Sequence, residues 1–327
     1  MAAAGLRCRG PRKQEGSMET LIQQFINGLV IGSVYALIAL GYTMVYGILG
    51  LINFAHGDVL MVGALVALQT MLFLMGMAPG MSPLVMLAIA LAVAMVICML
   101  LGFTMERLAY RRLRNAPRLA PLITAIGVSF LLQTLAMIIW GRNYHTFPQL
   151  IPTTPLQPIP GVFVTPVQIA IVVVSALLMI GLLLLVNRTR IGRAMRATAE
   201  NHRVASLMGV DTNAVIAMTF VIGAALAAVA GVMFASNYGI AHYGMGFMPG
   251  LKAFTAAVLG GIGNLGGAML GGVVLGLVES FGAGYIEHLT FGFLNSSYQD
   301  IFAFIILGLV LIFRPTGLLG ERVSDRA

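Results

Sequence analysis

Residues 84–105 read LVMLAIALAVAMVICMLLGFTM, and residues 106–114 directly after them read ERLAYRRLR. The first stretch holds neither a charge nor a proline, and as a helix it is long enough to cross a hydrocarbon core of roughly 30 Å. The second places Arg107, Arg111, Arg112 and Arg114 together at the end of that span, where the positive-inside rule expects the cytoplasmic side. Such a pair of segments is read as a transmembrane helix and its anchor, not as the short alternating strands of a membrane barrel.

The rest of the chain follows the same plan. Of 327 residues, 59% are hydrophobic and 9% are charged, with a mean hydropathy of +0.95. A soluble domain carries roughly 25% charged residues, so this composition excludes a water-soluble enzyme. Apolar runs cover about 21–40, 42–55, 59–76, 84–105, 119–140, 166–186, 214–236, 252–264, 267–282 and 300–313. Six or seven of them are comfortable spans, while 42–55, 252–264 and 267–282 are short or broken by glycine. Before Met18, residues 1–17 lack the apolar stretch of a signal peptide or a lipid-attachment signal. They read as a disordered tail or a start placed too early, ahead of a single membrane domain over 18–327.

Charge separates the loops. Seventeen of the 19 Lys and Arg residues lie in four segments: Arg7 to Lys13, Arg107 to Arg118, Arg188 to Arg203, and Arg314 to Arg326. The rule above places all four, and both termini, in the cytoplasm. The loops near 77–83, 141–165, 237–250 and 283–299 are then external. Parity requires the stretches 20–57 and 251–282 each to cross twice, or to cross and re-enter, which gives eight to ten crossings. Ten would divide at the Pro-rich loop 147–166 into five plus five, the parity of an inverted repeat with broken helices. That loop reads as an extended connector over the bundle, with Trp140, Tyr144 and Phe147 as an interfacial aromatic anchor.

The formal charge of +8 does not indicate nucleic acid, because the arginines are accounted for by topology. Cys8 and Cys98 have no metal-ligand spacing around them. There is no GxxxxGK[ST] loop for ATP. The runs 59–105, 119–140, 166–186, 214–236 and 300–313 hold no Asp or Glu beyond end positions, so an ion relay inside the bundle is not expected.

Three stretches are candidate sites. In INFAHGD at 52–58, Asn53, His56 and Asp58 sit between two apolar runs; they suit capping and hinge roles at a helix start, or substrate contact. The Gly-rich stretch 260–276, with Gly260, Gly261, Gly263, Asn264, Gly266 and Gly267, permits either tight helix packing or a broken backbone lining a path. In 190–210, Arg193, Arg196, Glu200 and Arg203 recur at helical spacing, predicting one face with internal ion pairs. Ala197, Val204 and Leu207 supply apolar surface there and Gly209 a stop, the features of a docking helix.

In NGLVIGSVYALIALGYTMVYGILGLINFAHGDV at 27–59, ERLAYRRLR at 106–114, IGRAMRATAENHRVASLMGV at 191–210, MTFVIGAALAAVAGVM at 218–233, GFMPGLKAFTAAVLGGIGNLGGAMLGGVVLG at 246–276 and RPTGLLG at 314–320, the chain resembles the LivH-type permease subunits of high-affinity branched-chain amino acid ABC importers. The resemblance covers about 19–320. It implies a multi-pass permease of the bacterial inner membrane, paired with a homologous second permease, two cytoplasmic ATPase subunits and a periplasmic amino-acid-binding protein. It also implies that this chain binds no cofactor, ATP and Mg being held by the ATPases. The segment around Glu200 and Gly209 is then the ATPase-coupling loop, although Gly209 lies nine residues beyond Glu200 and Asn201 stands where the general permease loop has Ala. Family members also import urea, short amides or other amino acids. A channel or an ion-coupled carrier would lack the docking segment.

Overall fold

The described helices are α1 (Gly16–Leu49), α2 (His56–Met77), α3 (Pro83–Met105), α4 (Leu119–Trp140), α5 (Pro166–Arg188), α6 (Arg190–Glu200), α7 (His202–Leu207), α8 (Thr212–Tyr238), α9 (Phe247–Gly260), α10 (Leu265–Leu289) and α11 (Gln299–Phe313). They come from a computed structural model that describes residues 16–114, 116–117, 119–152, 154–289, 298–314 and 316–320. Seven of these helices are long and apolar enough to cross a membrane, and α9 and α11 are shorter apolar ones. The chain is a polytopic helical membrane bundle.

At its centre, α1 packs along α10. Gly28 and Gly32 on α1 face Gly272 and Gly276 on α10, and a Cβ at Gly32 would lie 2.8 Å from the Val273 Cα. Lipid offers helices no hydrophobic drive to associate, so close backbone approach through small residues supplies the contact area. α2 and α8 complete the buried centre, whereas α3, α4 and α5 present most of their apolar surface outward, as lipid-facing helices do.

One expectation fails at the start of the chain. The stretch 20–57 does not cross twice, because 16–49 is one helix, about 51 Å long at 1.5 Å per residue. The break between the runs 21–40 and 42–55 falls at Gly41, which is helix interior packed against the His56 ring, and Tyr42 and Thr43 after it are buried. The first turns of α1 lie beside the hairpin of β2 (Leu156–Ile159) and β3 (Val162–Val164), where Gln23 and Phe163 exchange hydrogen bonds of 3.0 and 2.8 Å. Its end instead lines a cavity with Arg114 and His202. α1 therefore begins, at Gly16, at the end of the bundle opposite the basic segments 106–114 and 188–203. The parity expected from the sequence rested on Arg7, Arg9, Arg12 and Lys13, which with residues 1–15, Arg118, Arg322 and Arg326 lie outside the described residues. With one helix fewer, the five-plus-five division becomes four apolar helices before the Pro-rich loop and five after it among the described residues.

The loop 141–165 is more ordered than a linker. β1 (His145–Thr146) pairs antiparallel with β4 (Ile240–Ala241), and β2 pairs with β3. Phe147 is 1% exposed and belongs to the core, not to an interfacial anchor, because β1 carries it inward. Tyr144 is exposed and stacks on His242 at 4.5 Å.

Candidate functional site

After α1 the chain turns back into the bundle through residues 50–55, and α2 starts buried. The His56 ring lies where a Cβ at Gly41 would be, while α1 continues two more turns beyond that point. Asn53, His56 and Asp58 are all buried, but none caps α2 with its side chain. This corrects the capping role expected of them; each side chain is directed at another helix instead. Tyr110 donates to Asn53 Oδ1 at 2.6 Å, and Gln133 of α4 donates to Asp58 Oδ1 at 3.1 Å. His56 stands edge-on to Tyr42, ring centroids 5.0 Å apart, and its Nε2 has no hydrogen-bond partner among the described residues. An unmet buried polar atom costs about 1–3 kcal/mol. Asp58 in the first turn also complements the helix dipole.

The break in the Gly-rich stretch falls between α9 and α10. Gly261 and Gly263 take φ of 106° and 99°, conformations that only glycine adopts freely. Asn264 closes the turn: its Oδ1 accepts from the Gly267 N–H at 3.0 Å and its Nδ2 donates to the Leu319 carbonyl at 2.9 Å. Gly260 and Gly267 touch backbone to backbone, and Gly266 sits beside Asn264. From Leu265 onward α10 is uninterrupted, so the later glycines serve packing. α9 joins the two candidate segments, with Gly250 against Gly57 near its start and Gly260 against Gly267 at its end. Phe254 between them contacts both Tyr42 and Phe54.

The basic segment is two helices. Asn201, with φ −158° and ψ 108°, ends α6 and caps α7 by accepting from the Arg203 and Val204 N–H groups at 3.0 and 3.1 Å. This bend corrects the single helical face expected for Arg193, Arg196, Glu200 and Arg203, since Arg203 lies beyond it. Their expected internal ion pairs are not among those of the described residues. Instead Arg196 donates to the Val186 carbonyl at the end of α5, where a cation also complements the helix dipole. Met195 and Thr198 anchor α6 on the bundle. Arg193, Ala197, Glu200, Arg203 and Gly209 are exposed, Gly209 with φ 85°. Val204, Leu207 and Met208 are exposed at 53%, 86% and 80%.

Nearby, Arg114 bridges the buried Glu106 and Asn213 at the start of α8. Burial pulls its guanidinium below the ordinary value, against the pull of Glu106 in the other direction. A cavity of about 560 Å³ opens beside it, lined by Tyr46, Leu49, Leu113, Arg114 and His202.

One cluster escaped the sequence reading. Lys252 of α9 lies 2.6 Å from Glu279 Oε1 of α10 and 2.6 Å from Asp300 Oδ1 of α11. Tyr35 of α1 donates to Glu279 Oε2 at 3.0 Å. Four helices thus meet on one ionic node inside the bundle. Its signal was present: Lys252 is a lysine inside an apolar run, outside every basic loop.

Over residues 24–311 the chain matches the family described as branched-chain amino acid transport system / permease component. It is 49% identical to the high-affinity branched-chain amino acid transport system permease protein BraD of Pseudomonas aeruginosa, over 92% of this chain and 96% of that one. It is 45% identical to the corresponding protein LivH of Escherichia coli K12, with the same coverage of each chain. Against the solved PsaBC from Streptococcus pneumoniae in complex with Fab, it has 16% identity and a TM-score of 0.43, covering 93% of this chain and 94% of that one.

Proposed function

Because the chain belongs to the branched-chain amino acid transport permease family, we propose that it is the membrane permease subunit of an ATP-binding cassette importer. The importer carries leucine, isoleucine and valine from periplasm to cytoplasm. Its relatives' names and their near-complete coverage support the substrate class. The observation that carries the machine is the α6–α7 segment: Val204, Leu207 and Met208 stand exposed at the basic end, on helices that help no described part of the fold by being apolar there. Exposed apolar surface rimmed by arginine marks a protein contact.

In this reading the basic loops 106–114 and 188–203 face the cytoplasm of a bacterial inner-membrane protein, α1 starts on the periplasmic side, and α11 returns to the cytoplasm. The chain itself is non-catalytic. A homologous second permease completes the pore, two ATPase subunits dock on the paired α6–α7 segments and hold ATP and Mg, and a periplasmic amino-acid-binding protein delivers substrate. Closure of the ATPases shifts the permease between conformations only through contacts that differ between them, and α6–α7 supplies those contacts. The broken turn at Gly261–Asn264 and the bend before His56 provide the hinges and wall of the path.

The test is reconstitution of the four kinds of subunit in proteoliposomes, measuring ATP-dependent uptake of labelled leucine. Uptake that needs the ATPases and the loaded binding protein supports the reading. Uptake by the permease alone, or uptake driven by an ion gradient without ATP, overturns it.

A further inference from the structure

At the end of the bundle away from the basic loops, α1, α5, α8, α10 and α11 enclose a cavity of about 220 Å³. Gln24, Asn27, Gln168, Asn237, Tyr238 and Glu279 lie on its wall. Glu279 is buried within α10, and an ionisable residue inside a membrane bundle is costly and marks a cavity or path. The wall residues come from separate helices and converge. Most are amides, which can donate or accept.

The wall has one sign of charge. Glu279 is the acid on it, and no Lys or Arg is among the described residues that line the cavity. Lys252 reaches Glu279 from behind, over the Tyr35 ring at 5.7 Å, and is shared with Asp300. One ammonium between two carboxylates leaves the node with one excess negative charge, in surroundings where Glu279 is 2% exposed. Each Glu279 oxygen accepts one hydrogen bond, from Lys252 or from Tyr35. A carboxylate offers about four acceptor positions, so two have no partner among the described residues. Both filled positions take N–H or O–H donors, the kind of group an ammonium presents to a carboxylate, and the wall does not form the oxygen cage a hard metal ion requires.

We propose that this cavity receives the primary ammonium group of the amino acid being carried, at Glu279, with the Asn237 and Gln168 amides facing its carboxylate. The proposal rests on the reading of the chain as an amino-acid permease and adds a site within the permease itself. A net-negative cleft with low-dielectric walls concentrates cations, so the site would take an amine and reject the deaminated acid.

The test places a thiol on the wall, Asn237→Cys, in a chain carrying Cys8→Ser and Cys98→Ala, assembled with its partner subunits in proteoliposomes. Modification by the cationic 2-aminoethyl methanethiosulfonate should outrun that by the anionic 2-sulfonatoethyl reagent by at least about tenfold, the lower end of the enrichment a charged cleft produces. Glu279→Gln should bring the ratio towards one. Leucine at saturating concentration should slow the cationic reagent about tenfold, a readout that needs no change at Glu279. The deaminated analogue 4-methylpentanoate should give no protection. A ratio near one, equal protection by the two compounds, or protection by sodium ions and not by leucine overturns the proposal. Absence of leucine uptake by the unmodified complex overturns the underlying reading instead.

Discussion

Truncating Leu207 and Met208 to alanine together tests the docking role of α7 most directly. The two side chains are 86% and 80% exposed, so the fold loses almost no packing when they are cut. Fully burying a Leu or Met side chain is worth about 1.5–3 kcal/mol relative to leaving it in water. Discounting for incomplete burial and for the remaining Cβ leaves about 2–4 kcal/mol for the pair at the ATPase surface. At 1.4 kcal/mol per factor of ten, that is roughly a 30- to 700-fold weaker association. The assay is titration of the purified ATPase onto detergent-solubilised permease, with thermal unfolding of the permease as a control. The expected result is weakened ATPase binding, an unchanged unfolding temperature, and loss of ATP-dependent uptake at limiting ATPase. Unchanged affinity in the double variant would refute the argument that this apolar surface is a docking element.

Removing Arg114 should leave Glu106 buried and unpaired. Arg114→Met is expected to destabilise the permease by about 3–5 kcal/mol, and a second change, Glu106→Gln, to recover most of it; thermal unfolding in detergent reads both. At the α1–α10 contact, Gly32→Leu should cost about 1–3 kcal/mol or more through overpacking, whereas Gly181→Ala, with open space around its Cα, should be neutral or slightly stabilising. His242 has its pKa held below the ordinary 6.5 by burial, and its Nδ1 accepts from the Gly244 N–H at 3.0 Å. The unfolded chain then binds the proton first, so this contribution to stability is complete above about pH 6.5 and declines as pH falls towards the folded value. Unfolding temperatures at pH 7.5 and 5.5 should differ less in His242→Asn than in the parent chain.

Much of this architecture is readable from local sequence because a membrane helix is specified by one continuous apolar run. The runs at 119–140, 166–186 and 214–236 correspond within a few residues to α4, α5 and α8. The errors arise where polarity is satisfied by a distant partner. Gly41 divides two apolar runs in the sequence, and in the fold the His56 ring lies against it inside one continuous helix. Likewise Glu279 and Asp300 flank the loop 283–299 that the charge pattern places outside, and only the fold brings both to Lys252. The bend at Asn201 was within reach, since Asn is among the strongest helix N-caps and stands in the middle of the stretch taken as one face.

In the proposed importer, the position of α6 gives a route by which an amphipathic helix outside the membrane would act on a path inside it. Met195 and Arg196 share a cleft of about 100 Å³ with Thr43 and Gly47 of α1 and with Gly263 in the broken turn. A cleft at that junction leaves room for movement that a close-packed interior would forbid. Displacing α6 therefore presses on the one place where α9 and α10 are joined by glycine torsions and a single asparagine cap. From there α9 is short and stiff, 14 residues with Gly57 packed near its start and Lys252 held in the ionic node. In that proposal, movement beginning at the turn would be carried along α9 to both sets of buried polar residues, His56 on one side and Glu279 on the other. A helix anchored at both ends transmits such a shift more faithfully than a loop does, which is why the flexible residues gather at 261–264 and not along α9 itself.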